Sequence, residues 1–246
     1  MQTSPLATTQ ERGMAHTVIL IDDVESQESA RIVVVSDTHT FHAELGVVPD
    51  GDIFIHAGDF TKKGTAKEVG AFNDWLATLP HRHRIVIAGN HECGPFSEFQ
   101  KELLTNCSYV EDGLVEVLGL RIYGIGWQRR SRYRCIPSGL DVLITHDPPH
   151  GILDGDRNLG NEDLRDVLVG LVQPPRVHLF GHVHEARGVL RTSQTVHVNA
   201  ASANPGMVPR ALVGGSYLFD IRGRRACCEA QDAETDTAAD AATRHC

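Results

Sequence analysis

The segment RIVVVSDTH, residues 31–39, decides the fold: four β-branched residues, Ile32 to Val35, run directly into Ser36-Asp37-Thr38-His39. A run that is apolar at every position suits a strand covered on both faces, and a polar cluster just after it suits the loop at the strand's carboxyl end. The same grammar recurs four times. Ile53 to Ile55 precedes Gly58-Asp59, and Ile85 to Ile87 precedes Gly89-Asn90-His91. Val142 to Ile144 precedes His146, and Val177 to Phe180 precedes Gly181-His182-Val183-His184. Open α/β sheets build their sites from loops at the carboxyl ends of strands, so these segments are expected to converge on one edge.

The residue types narrow the chemistry. Carboxylate, imidazole and amide oxygen without thiolate favour manganese, iron, zinc or cobalt over a structural zinc knot or an iron–sulfur cluster. Asp37, His39, Asp59, Asn90, His91, His146, His182 and His184 are too many for one ion of ordinary coordination number. They suit two ions about 3.5–4 Å apart that share one carboxylate, with Asp59 the best candidate bridge. A lone D-x-H or G-D is common and weak; the ordered set of five motifs is what makes the signal specific.

In this order, D-x-H, G-D, G-N-H-E, a single histidine and G-H-x-H resemble the calcineurin-like metallophosphoesterases, over roughly residues 31 to 222. The intervening text FNDWL (72–76), IAGNHE (87–92), THDPP (145–149) and FGHVHE (180–185) is similar to the metallophosphoesterase-domain (MPPED-like) subgroup, which has cyclic-nucleotide phosphodiesterase activity. The resemblance implies a four-layer α/β sandwich, two mixed β-sheets face to face flanked by helices. It implies that Asp37, His39, Asp59 and His184 surround one metal ion and that Asp59, Asn90, His146 and His182 surround the second. It leaves His91 as the unliganded catalytic histidine.

A metal pair of this kind lowers the pKa of a bridging water, so the nucleophile is expected to be hydroxide rather than a serine or cysteine. His91 could then stabilise the transferring phosphoryl group or protonate the departing alkoxide. The expected activity is binuclear metal-dependent hydrolysis of phosphodiesters, with cyclic nucleotides among the candidate substrates and phosphomonoesters less favoured. Two alternatives stand beside it: a metal- or nucleotide-binding regulator of weak catalysis, and a metal-dependent nuclease. The first would be favoured by a missing ligand, and every position is filled. The second would need a basic face, whereas the formal net charge is −9, which argues against general affinity for nucleic-acid backbone.

Weaker candidates surround this set. His56, in the strand before Asp59, could orient a ligand through a ring hydrogen bond, and Asn199 sits where family members often carry a polar residue near the site. His197 alternates with Asn199's neighbours on that strand and is expected to face elsewhere. Asp147 places an extra negative charge beside His146. The glycine-punctuated loop GILDGDRNLG (151–160) carries Arg157 and Asn158, which could reach a phosphate or a base edge. Arg129, Arg130, Arg132 and Arg134 crowd around Tyr133, where a solvated face is the ordinary reading and an anionic ligand the sharper one.

At 246 residues and 41% hydrophobic content the chain can bury a sizeable core, and one domain spanning 31–226 plus tails is the simplest count. No apolar run reaches the length of a membrane helix and the N-terminus lacks a signal-peptide core, so a cytoplasmic protein without membrane partners is expected. Cys93, Cys107, Cys135, Cys227, Cys228 and Cys246 show no disulfide-scaffold spacing. Thr65–Leu79, Ser97–Leu104 and Asn161–Val172 read as helices, and Leu114–Tyr123 as a hairpin turning near Gly119. Residues 1–30 read as an extension in which His16–Ile21 could form a strand; 227–246, rich in Ala, Asp and Thr, are expected to be a disordered acidic tail.

Overall fold

The strand Ser29–Val35 (β3) is apolar at consecutive positions because the two faces serve two different layers. Ile32 and Val34 enter a core between two sheets, while Val33 and Val35 face the opposite way, into a core beneath a helix. The computed structural model of the chain describes residues 7–9, 14–21, 29–93, 100–127, 132–206 and 208–223. The tail at 227–246, with its three cysteines, and Arg129 and Arg130 lie outside these.

The first sheet has seven strands in the order β1 (Ala7–Thr9), β2 (His16–Leu20), β13 (Tyr217–Arg222), β3, β4 (Ile53–His56), β5 (His83–Val86) and β6 (Ser108–Tyr109). β3 to β6 run parallel, and β13 lies antiparallel to β3. The second sheet has six strands, β11 (Gly188–Arg191), β12 (Val196–Asn199), β10 (Val177–Phe180), β9 (Val142–Thr145), β8 (Leu120–Ile125) and β7 (Asp112–Val117). Here β8, β9, β10 and β12 are parallel, with antiparallel strands at both edges.

Ile32, Ile55 and Ile87 from one sheet meet Ile122, Ile144, Leu179 and Val198 from the other, all of them buried. The outer faces are closed by helices. α1 (Ala66–Ala77) lays Val69, Phe72 and Leu76 on Val33, Phe54 and Val86, and α3 (Glu162–Gly170) lays Leu164 on the layer of Tyr123, Ile125 and Leu143. The result is a four-layer sandwich of two mixed sheets flanked by helices. Each large side chain fully buried in these layers is worth about 1.5–3 kcal/mol.

Local signals explain the element ends. Thr65 caps α1 with a full capping box, its hydroxyl accepting from Glu68 N while Glu68 accepts from Thr65 N. Asn161 caps α3 through Leu164 N at 3.0 Å. The hairpin turns at Leu118 and Gly119, both in left-handed backbone. α2 spans only Gln100–Leu103, with 97–99 outside the described residues. β2 is more than a peripheral extension, since it pairs in parallel with β13 inside the first sheet. Among the described residues, no helix is long and apolar enough to cross a membrane. Cys107 is a half-buried free thiol.

Candidate metal centre

The loops that leave β3, β4, β5, β9 and β10 open on the same edge, where the two sheets face each other. Backbone pairing continues past the strand ends: Asp37 N donates to Gly58 O at 2.9 Å and His39 N to Asp59 O at 2.9 Å. Gly181 N donates to His146 O at 3.1 Å, which joins the β9 and β10 loops in the same way. Ser36 N reaches Ala200 O at 3.1 Å across the sheets. Asp37, His39, Asp59 and His182 hold φ values of 55°, 42°, 55° and 67°. Left-handed backbone costs a non-glycine residue on the order of 1–3 kcal/mol, and its concentration here marks a site whose surroundings enforce it.

The side chains form two adjacent groups. In the first, His39 Nε2 lies 3.2 Å from His184 Nε2, and His184 Nε2 lies 3.2 Å from Asp37 Oδ1. In the second, Asp59 Oδ2 is 3.4 Å from His146 Nε2, and Asn90 Oδ1 is 3.1 Å from His146 Nε2 and 2.8 Å from His182 Nδ1. His39 Nε2 also stands 3.8 Å from Asp59 Oδ2, which joins the groups. His91 comes from the side, its Nε2 3.9 Å from Asp59 Oδ2 and its ring partly exposed. Ligand atoms of Asp37–His39–His184, of Asp59–His146–His182 and of His39–Asp59–His91 lie close enough together for each trio to hold an ion.

Hydrogen bonds on the far side of the rings decide what faces inward. His39 Nδ1 donates to Thr61 O at 3.2 Å, His146 Nδ1 to Ala57 O at 2.8 Å, His184 Nδ1 to Asn204 O at 3.0 Å and His91 Nδ1 to Lys62 O at 2.7 Å. Each Nε2 therefore presents a lone pair to the interior, as ligating histidines do. Two such lone pairs at 3.2 Å, beside two buried carboxylates, repel one another unless a cation lies among them. The donor set thus fits metal ions.

The ionisation of these groups reports the same field. Burial alone would raise the Asp37 and Asp59 carboxyls, yet both are held low by the histidines around them, His184 foremost for Asp37 and His146 for Asp59. Burial would lower His146, but Asp59 and Asp37 override it and raise the ring to about 10. His39 and His182 go the other way, kept low by burial.

The glycines of G-D, G-N-H and G-H-x-H have a steric reason. A methyl group on Gly181 would lie 2.0 Å from Asp37 Oδ2, and one on Gly89 2.2 Å from Asp59 Oδ1. Only glycine lets these loops interlock so closely.

The sequence reading did not assign Glu92, which is buried completely. Its carboxylate accepts from Asp59 N, Thr61 N and Gly89 N at 2.8 Å each and from the Thr61 hydroxyl at 2.6 Å. It clamps the β4 loop to the β5 loop, and its burial together with the nearby Asp59 charge raises it to about 7. The signal was present in G-N-H-E, but a fourth letter gives no hint of the two distant backbone donors, Asp59 N and Thr61 N. Arg187 was missed as well. Its buried guanidinium donates to Ala200 O, Ala201 O and Gly215 O at 3.0, 2.7 and 2.5 Å and stacks on Tyr217.

The remaining predicted residues fall variously. His56 bonds Thr38 Oγ1 at 2.9 Å, so it braces the residue between Asp37 and His39 rather than a ligand ring. Asn199 Nδ2 donates to Val183 O at 2.9 Å and Leu153 O at 3.1 Å, bracing the loop between His182 and His184. His197 does face elsewhere. Asp147 turns its Oδ2 to the Tyr133 hydroxyl at 2.7 Å. Above the centre opens a cleft of about 300 Å³ in which Arg157, Leu159 and Glu185 join His91, His182 and His184. Arg157 pairs with Glu185 at 3.3 Å. Asn158 is not among the lining residues; it takes the left-handed turn, φ 51°, between Arg157 and Leu159.

Residues 30–186 match the family described as calcineurin-like phosphoesterase. The chain is 39% identical over 215 residues to metallophosphoesterase domain-containing protein 1 of Homo sapiens, covering 70% of this chain and 65% of that protein. It is 38% identical over 216 residues to a UPF0046 protein of Caenorhabditis elegans, covering 71% of this chain and 76% of that protein. The chain thus spans just under two thirds of the human relative's length. A solved archaeal phosphodiesterase aligns with a TM-score of 0.38 and 18% identity, over 69% of this chain and 82% of that one.

Proposed function

The chain belongs to the calcineurin-like phosphoesterase family, in the group of the metallophosphoesterase domain-containing and UPF0046 proteins, and from that premise we propose that it hydrolyses small phosphodiesters with the help of two metal ions. The observation that carries this reading is the pair of adjacent inward-facing groups, Asp37–His39–His184 and Asp59–His146–His182, with His39 and His91 both reaching Asp59 between them.

In this proposal Asp37, His39, Asp59 and His184 hold one ion, and Asp59, Asn90, His146 and His182 hold the other. Manganese, iron, zinc and cobalt all accept such ligands. Two ions so held supply Lewis acidity, lowering the pKa of water and offsetting charge on the phosphate oxygens. The protein's own contribution is placement. Carbonyl partners lock the ring nitrogens toward the interior, Glu92 fixes the N–H groups of Asp59 and Gly89, and the left-handed turns aim Asp37, His39, Asp59 and His182 at one point. His91, anchored through Nδ1 to Lys62 O, presents Nε2 to the cleft, where it can give a proton to the departing alkoxide.

The cleft supports a small substrate, since about 300 Å³ lies at the lower end of ligand pockets. Arg157, in an exposed pair with Glu185, can turn to a non-reacting phosphate oxygen at little cost, since such surface pairs are worth about 0–1 kcal/mol. Cyclic nucleotides are the proposed substrates of this size and charge.

The test is metal-dependent hydrolysis of bis(p-nitrophenyl) phosphate beside p-nitrophenyl phosphate, after metal stripping and reconstitution with Mn²⁺. Wild type should favour the diester. Asp59→Asn should lose both turnover and the second equivalent of Mn²⁺, while His91→Ala should keep Mn²⁺ and lose about 10²–10⁴-fold in rate. Reconstituted wild type that binds two ions yet turns over neither ester faster than Asp59→Asn would sink the assignment, and a ligand-binding regulator would replace it.

A further inference from the structure

We propose that Glu185 is a specificity-determining residue of the cleft above the metal centre: its carboxylate, beside the Arg157 guanidinium on the cleft wall, favours singly charged phosphodiesters over doubly charged phosphomonoesters. This role rests on the phosphodiesterase reading of the centre and deepens it by naming the residue that selects the ester.

Glu185 follows His184 in the short turn His184–Ala186. Its place is therefore tied to a metal-facing ring, which is itself fixed through Nδ1 on Asn204 O at 3.0 Å. Ala186 N donates to Val183 O at 3.1 Å and tightens the turn. From the other side the loop 151–160 closes on the Glu185 stem: a methyl group on Gly155 would lie 3.4 Å from Glu185 Cγ and 3.2 Å from Val183 Cγ1. That loop is braced by Asp154 Oδ2, which accepts from Gly151 N at 2.8 Å and Gly160 N at 3.2 Å. Packed between a turn and a braced loop, the carboxylate is kept on the wall of the cleft.

Apart from the metal-holding side chains and His91, the charged residues among those described on this wall are Arg157 and Glu185. Their charges, 3.3 Å apart, sum to zero, but the two groups are not equivalent: the Arg157 side chain is 65% exposed and that of Glu185 36%. Water screens the guanidinium more than the carboxylate, so the field that the pair sends to the metal centre is negative. Arg157 can swing toward a phosphate oxygen, whereas Glu185 stays where its turn and the loop hold it.

The ester classes differ in the charge that meets this field. A phosphodiester carries one negative charge, whereas a phosphomonoester, with a second pKa near 6, carries about 1.5–2 at neutral pH. The wall offers no uncompensated cation for the extra charge, and the carboxylate repels it. Removing one negative charge from the wall should strengthen the binding of a monoanion by some factor and that of a dianion by about the square of it, so the ratio between the two changes by that factor. For partly exposed unit charges about 6–10 Å apart, at an effective dielectric constant of about 40, it is roughly 3–10.

The test compares binding and turnover in the full chain reconstituted with Mn²⁺, at low salt and about pH 8, where inorganic phosphate is a dianion. Calorimetry gives the affinity for inorganic phosphate relative to dimethyl phosphate, a monoanion. Glu185→Gln should raise that ratio roughly 3–10-fold. Arg157→Gln leaves the carboxylate uncompensated and should lower it, by a smaller factor because the guanidinium is better screened, and the double variant should fall between the two. Glu185→Asp keeps the charge and should stay within about 2-fold of wild type, which a purely structural role for the longer side chain would not give. The kcat/KM ratio of p-nitrophenyl phosphate to bis(p-nitrophenyl) phosphate should change in the same order across the series. A binding ratio for Glu185→Gln within about 2-fold of wild type, or one raised as much by Arg157→Gln, overturns the role of Glu185 even where diesters are hydrolysed. Hydrolysis of neither ester by any of these proteins would instead remove the phosphodiesterase reading, while the binding ratios still decide whether Glu185 discriminates by charge.

Discussion

Replacing Gly89 by alanine isolates the geometry of the metal centre from its chemistry. The added methyl group would lie 2.2 Å from Asp59 Oδ1, 2.4 Å from Asp59 N and 2.7 Å from His146 Cε1. Gly89 does not occupy left-handed backbone, so the cost is steric and not torsional. Side-chain carbons essentially never approach closer than 3.0 Å, so Asp59 must retreat by at least 0.8 Å, the difference between 3.0 and 2.2 Å. Asp59 is held by the His91 N–H at 2.9 Å and, through its own N–H, by Glu92 at 2.8 Å. A retreat of that size stretches both bonds past usefulness, and bonds to charged groups are worth about 1.5–3 kcal/mol each. Gly89→Ala should therefore lose roughly 3–5 kcal/mol in urea unfolding. Metal–ligand distances tolerate about ±0.2 Å, so the shared carboxylate should also fail, and calorimetric Mn²⁺ binding should fall below two equivalents. Gly70→Ala is the control: it lies inside α1 with nothing within 4 Å of the new methyl group and should gain about 0.5–1 kcal/mol. Gly89→Ala within about 1 kcal/mol of wild type, with both ions retained, would refute the reasoning.

Burial holds His42 and His197 down to about 4 and His56 to about 3. A histidine depressed on folding contributes stability that is fully present above its unfolded pKa of about 6.5 and is lost as pH falls through the folded value, so each should cost up to roughly 3 kcal/mol on acidification. Urea midpoints should accordingly drop steeply between about pH 6.5 and 4, and a flat profile there would contradict the assignment. Thr65→Ala removes the hydroxyl half of the α1 capping box, the acceptor for Glu68 N, and should cost about 1 kcal/mol, read as a Tm lower by about 2–4 °C. Arg187→Met removes three bonds to carbonyls and should cost about 2–4 kcal/mol. Because Ala200 O also accepts from Ser36 N, next to Asp37, that variant should weaken Mn²⁺ about 10-fold at the Asp37–His184 group and leave the Asp59–His146 group nearly unchanged, as two-site calorimetry can resolve.

The residues brought to one sheet edge were legible in the chain because strand and loop alternate there without interruption, whereas periodicity supported only an α/β fold and the two-sheet sandwich was implied by the family resemblance. A strand buried on both faces must be apolar throughout, and the loops that follow parallel strands must emerge on one side, so Asp37, Asp59, Asn90, His146 and His182 could be placed together before any distance was known. Thr65 and Asn161 marked helix starts because capping is a local hydrogen bond between near neighbours in sequence. The short strands β1, β6 and β11 were not read, since two to four residues carry no period.

What the sequence by itself determined is therefore the inventory: which residues lie at strand ends, which helices cover the sheets, and which family the motifs resemble. What only the tertiary structure decided is direction and partnership. The histidine nitrogens face inward because carbonyls of Ala57, Thr61, Asn204 and Lys62 occupy their other sides. Glu92 is a clamp because three backbone N–H groups from two loops meet it, and Arg157 and Leu159 line the cleft while Asn158, in left-handed backbone between them, does not. These contacts join residues far apart in the chain, and packing rather than local propensity selects them, so no spacing in the sequence encodes them.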